Sequence, residues 1–161
     1  MLRDLLKKVD GEVAATLALD FAEESLSEMG RCVFSRELRD ASTAYLAAAR
    51  RFLDGGGVDE LKSAHERFFG ARAQADGVSA SALWIAAIAV LAACQRDMER
   101  AEIIVKNSYM PTVLDVATEA QVIAGRFASG AQDSQRARWE MARRQLILFV
   151  NAIKFPGDNP P

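Results

Sequence analysis

The chain holds one histidine, His65, in the run Ala64-His65-Glu66-Arg67. An imidazole titrates near neutrality, which makes His65 the first candidate for a general base. It stands four residues after Leu61 and four before Phe69. On a helix that spacing sets it at the edge of an apolar stripe, so we read it as a structural boundary residue. Asp115 and Glu119 lie one helical turn apart, as paired carboxylates of acid/base and two-metal sites do. Di-iron bundles add Glu-x-x-His motifs on neighbouring helices, which a single histidine cannot supply. We read the pair as a solvated face. Cys94 sits in an uncharged alanine-rich stretch, where a thiol behaves as a small hydrophobe. Cys32 follows Arg31 and has no histidine near it to activate a thiolate. Two distant cysteines and one histidine make neither a four-ligand zinc site nor a disulfide framework. The expectation is a protein with no catalytic residues, no metal and no cofactor: not an enzyme.

Charge carries more information. Asp10, Glu12, Asp20, Glu23, Glu24 and Glu28 follow one another with no Lys or Arg between Asp10 and Glu28. Asp20, Glu24 and Glu28 recur at i, i+4 and i+8, which stacks three carboxylates along one helix surface. Like charges at that spacing cost a few tenths of a kcal/mol per pair, so helix stability does not select them. Two readings follow. The row is neutralised internally, by Arg136, Arg138, Arg143 and Arg144 or by Arg36 and Arg39. Alternatively Asp20, Glu23, Glu24 and Glu28 form a partner-binding face that steers a basic protein.

The elements that position these groups are helices. The 161 residues are 50% apolar and 26% charged, with a formal net charge of -2. That length suits one domain burying roughly 68–70% of its unfolded surface. Four prolines and ten glycines among abundant Ala, Leu and Arg exclude a sheet protein or a disordered one. The near-neutral charge argues against a nucleic-acid binder. Met1–Asp10 has charges scattered among its leucines instead of the apolar core of a signal peptide, and we expect a cytoplasmic protein. The punctuation predicts a short amphipathic lead helix, then helices over Glu12–Met29, from Ser35 to about Asp54, and from Asp59 to about Ala75. Gly30 and Gly55-Gly56-Gly57 supply stops. Gly77 to Gln95 has no charge, but only Ala82–Cys94 is continuously apolar, which suits a core helix better than a membrane span. Trp84, Leu91, Met98 and Val105 recur at seven and extend that helix towards Lys106, with a bend at Asp97 left open. Asn107-Ser108-Tyr109-Met110 breaks the chain, and Pro111 suits the first turn of a helix ending near Ser129-Gly130. Asp133 or Ser134 caps the last helix, whose Trp139, Ala142, Leu146, Phe149 and Ile153 share a face. Phe155-Pro156-Gly157 ends it. The expected fold is all-α, a single-domain antiparallel bundle or helical-hairpin array of six to seven helices over residues 1–155, with 156–161 a frayed tail.

Leu17-Ala18-Leu19-Asp20-Phe21-Ala22-Glu23-Glu24 resembles the opening A-x-D-x-A-E helix of bacterial immunity proteins of the immunity-protein-5-like family. Arg39-Asp40-Ala41 with Ala49-Arg50-Arg51-Phe52-Leu53-Asp54-Gly55 is similar to that family's R-x-A … A-R-x-W/F-L-x-G ending. Alanine-rich helices follow, here Ala64–Ala75 and Ala82–Cys94. Trp139-Glu140 with Arg143, Arg144 and Gln145 resembles the closing Arg/Gln/Trp helix. The resemblance covers roughly residues 12–150, and the lone histidine and the break at 107–111 depart from the pattern. It implies a cytoplasmic, non-enzymatic protein that binds and neutralises a cognate toxin, with no catalytic residues to carry over. The charge row adds the expectation that this toxin is basic. Two other readings stay open: a scaffold that self-associates through an apolar face, and a bundle with a small-molecule pocket lined by Trp84, Phe68, Phe69 and His65.

Overall fold

A computed structural model describes residues 1–9, 11–29, 35–106, 109–128 and 130–153, without the side chains of Glu28 and Met29. Asp10, the Gly30 stop, Cys32, the Asn107-Ser108 part of the break, Ser129 and everything from Lys154 onward, including the tail, lie outside the described residues. Among those described there are seven helices and no strand: α1 (Leu2–Leu6), α2 (Gly11–Met29), α3 (Arg36–Leu53), α4 (Val58–Ala73), α5 (Gly77–Arg100), α6 (Val113–Arg126) and α7 (Ala131–Ala152). The fold is the all-α bundle that the composition implies.

α5 is the axis. It is long and apolar enough to cross a membrane by length and composition, yet α2, α3, α4 and α6 pack around it. Leu83, Ile85, Ala86, Ala87, Val90 and Met98 are all buried there. Alanines at so many of its positions let neighbouring helices approach closely, and Leu17, Phe21, Tyr45, Leu46, Leu61 and Ile123 fill the space between. In two hairpins the contacts run in reverse register. Tyr45 of α3 meets Phe68 of α4, while Arg51 meets Glu60. Gln145 of α7 reaches Ala117 of α6, while Arg138 lies over Gly125. Both pairs are antiparallel.

Several helix ends differ from expectation, each for a local reason. Ser35 does cap α3, accepting from the Leu38 amide at 3.3 Å. α3 closes in a Schellman motif: the Gly56 amide reaches the Arg51 carbonyl at 2.7 Å, the Gly55 amide that of Phe52 at 3.1 Å, and Gly55 has φ 89°. Asp76 opens α5, because its carboxylate takes the amides of Val78 and Ser79, both at 2.9 Å. α5 runs through Asp97 without a break but stops at Arg100, not near Lys106. The stop is a second Schellman motif, with the Ile103 amide on the Met98 carbonyl at 2.9 Å and Glu102 forced to φ 55°. Val105, expected on the stripe, is therefore exposed. Pro111 lies just before α6. The cap is Thr112, in a capping box with Asp115. α6 ends at Arg126, short of the expected Ser129-Gly130. α7 begins after Gly130, so neither Asp133 nor Ser134 is its cap.

Candidate functional site

The acidic row lies on α2, where Asp20 and Glu23 face the last turn of α3. Arg50 comes from that turn and forks onto Glu23, with Nε on Oε1 at 2.9 Å and Nη2 on Oε2 at 2.8 Å. The same Nη2 donates to Asp20 Oδ1 at 2.5 Å. The bond to Glu23 is the main reason Arg50 holds its proton more tightly than a free guanidinium; burial opposes this and Asp20 adds to it. One turn on, Arg144 of α7 donates to Glu24 at 2.9 Å. The structure thus ties three of the four expected partner-binding carboxylates to two arginines of other helices. The Glu28 side chain lies outside the described residues. Arg144 was one of the internal partners expected. Arg50 was not, because its role depends on how α3 docks on α2. Of the others, Arg36 pairs with Asp40 at 3.8 Å and Arg136 with Glu140 at 3.0 Å, each within its own helix.

His65 belongs to an aromatic cluster between α3 and α4. Tyr45 Oη and His65 Nδ1 are 2.8 Å apart, and Tyr45 also stacks on Phe68 and meets Phe69 edge-on. Burial, with Cys94 adding, pushes the Tyr45 phenol well above its ordinary value, so it stays protonated and donates. The imidazole must then be neutral at Nδ1 to accept. Burial pulls His65 below its usual pKa, against the opposing influence of Glu66. A phenol with no exposed surface offers nothing to a substrate, so this geometry fits a core hydrogen bond. Of the four residues expected to line a small-molecule pocket, three share this cluster. Phe68, Phe69 and His65 enclose Tyr45, whereas Trp84 lies beneath the Arg72 guanidinium, 5.1 Å from its centroid.

Asp115 is engaged as well: its Oδ2 takes the Thr112 amide and hydroxyl, both at 2.7 Å. Asp115 thus serves a capping box with Thr112, in which Glu119 takes no part. Cys94 lines a cleft of about 560 Å³ between the α1–α2 junction, α5 and the start of α6, together with Leu6, Ala15, Leu91 and Val113. Burial above all, with Asp97 adding, pushes its thiol up to about 12. Such a thiol is not a nucleophile near neutral pH. No group of three or more metal-ligating side chains occurs among the described residues.

The surface that sequence reasoning missed is on α7. Trp139, Ala142, Leu146, Phe149 and Ile153 were expected along one face. The helix is rotated so that Met141, Gln145 and Phe149 point inward, and Trp139 and Ile153 point out. Gln145 sets that rotation: fully buried, it donates to the Ala117 carbonyl at 3.0 Å and accepts from Gln121 at 2.7 Å. The outer face is left with Trp139 at 65% exposure, Val150 at 54%, Ile147 at 52% and Ile153 at 40%. The buried Met141, Gln145 and Phe149 recur every four residues and the exposed apolar groups fall between them at spacings a helix also allows, so the pattern alone does not separate the two faces. No family model, no curated protein and no solved structure matches this chain.

Proposed function

We propose that the chain is a non-enzymatic interaction protein that binds a partner protein through the outer face of α7. The observation that carries this reading is Trp139, standing with Ile147, Val150 and Ile153 in solvent among the described residues, on a helix whose opposite side packs against α6 and α2. Trp and Arg concentrate in the energetically dominant centres of interfaces, and Arg143 is exposed beside Trp139. The resemblance to immunity proteins supplies the partner class, a cognate toxin in the same cytoplasm that is neutralised by occlusion. Asp20, Glu23 and Glu24 of the acidic row then brace the fold, since they are engaged with Arg50 and Arg144.

Co-expression with the C-terminal domain encoded by the neighbouring gene tests this reading, scored by cell survival and co-purification. The expected result is survival with the parent chain and loss of survival with Trp139→Asp. Survival unchanged by Trp139→Asp, or no protection by the parent, would contradict it.

A further inference from the structure

The exposed residues of α7 are regularly spaced. Arg136, Trp139, Arg143, Leu146, Val150 and Ile153 follow at intervals of three, four, three, four and three. All are exposed except Leu146, which is half-buried. Alternating threes and fours form the seam along which one helix receives another in a coiled coil. The seam covers about five turns, roughly 25 Å, at 1.5 Å rise per residue. A flat apolar patch would fit many shapes. A straight ridge of this period fits one shape, a second helix laid along it.

Charge selects which helix. The seam carries two guanidiniums, Arg136 and Arg143, and the nearby Glu140 already takes Arg136 at 3.0 Å. Arg143 has no carboxylate partner among the described residues. A second copy of this chain would bring the same two arginines to the seam, and the carboxylate of its α7 left unpaired among the described residues, Asp133, precedes the seam. Like charges set against each other there oppose pairing and help exclude the wrong partner. The complementary helix carries Leu, Ile or Val at its own seam and Glu or Asp beside it.

We infer that the outer face of α7 seats one amphipathic, acid-flanked helix of another protein, with its carboxylates against Arg143 and its apolar seam on Trp139, Leu146 and Val150. This rests on the interaction reading above and adds the shape and charge of what is bound. It reverses the expectation of a basic partner, because the free charge on the exposed helix is positive.

A pair of fluorescent synthetic helices provides the test, each of three heptads with Leu and Ile at the seam, one flanked by Glu and the other by Lys. Polarisation titrations against the whole chain should show the Glu helix binding at least about tenfold tighter than the Lys helix, a gap of about 1.4 kcal/mol. Val150→Asp should remove binding of the Glu helix, and Arg143→Glu should invert the preference between the two. Both positions are exposed, and circular dichroism checks that each variant keeps its helices. Equal binding of the two helices, or binding of neither, would overturn the inference. So would light scattering that shows a dimer of the parent chain abolished by Val150→Asp. If survival in co-expression depends on Trp139 while neither helix binds, the inference fails and the interaction reading stands; loss of both sinks the two together.

Discussion

His65 and Tyr45 show how a residue that looks chemical becomes structural. The neutral imidazole is favoured in the fold, since burial lowers its pKa and Tyr45 donates to Nδ1. The folded state therefore takes up the proton less readily than the unfolded chain, whose His titrates near 6.5. Stability from this pair is present at neutral pH and is lost as pH falls below about 6.5 towards the lower folded value. Thermal melts from pH 7.5 to 5 should show a drop in Tm that shrinks in His65→Gln, because other acid-labile groups are common to both chains. Identical pH slopes would contradict this. Glu102 is the other residue-scale case. A side chain at φ 55° costs about 1 kcal/mol relative to glycine, so Glu102→Gly should stabilise by about that amount in a denaturant melt. Gly55→Ala, at φ 89°, should destabilise by a similar amount, about 1 kcal/mol. The sequence made Gly55 legible as a stop because glycine advertises its conformation. Glu102 was illegible because nothing in its type signals a left-handed residue; the hydrophobic Ile103 after it, packed against the core, was the only trace.

Between elements, the acidic row settles into cross-helix braces, and this is where sequence reasoning reached furthest and then stopped. The i, i+4, i+8 carboxylates were plain on α2, as was the chance that distant arginines neutralise them. Which arginines do so depends on helix docking, and Arg50 stands 27 residues beyond Glu23. Arg50 adds a part-buried bond to Asp20 to its exposed fork onto Glu23, so Arg50→Met should cost about 1–2 kcal/mol. The double variant Asp20→Asn/Glu24→Gln should lose about 1 kcal/mol, outweighing the few tenths recovered from i,i+4 repulsion. A double variant as stable as the parent would return these carboxylates to a free, partner-facing role. α6 and α7 also meet closely. A Cβ placed on Gly125 would stand 2.3 Å from Arg138 Nε and 2.9 Å from Ser134 Oγ. Gly125→Val should destabilise by about 1–3 kcal/mol, as overpacked helix contacts do.

At the scale of the whole molecule, the helical class and most helix spans were legible because Gly, Pro and caps punctuate an alanine-rich chain. The rotation of α7 was not. Two faces of that helix carry apolar residues at helical spacings, and the buried Gln145, bonded to Ala117 and Gln121, marks the one that turns inward. Periodicity alone set Trp139 on one face with Phe149, whereas Phe149 is buried and Trp139 is exposed. The face left outside is the one proposed to receive a partner. Hydrogen exchange of the complex with the co-expressed partner domain tests that claim most directly. Slowed exchange on binding should concentrate on α7 between Arg136 and Ile153. Protection centred on α2 around Asp20 to Glu24, with α7 unchanged, would contradict it.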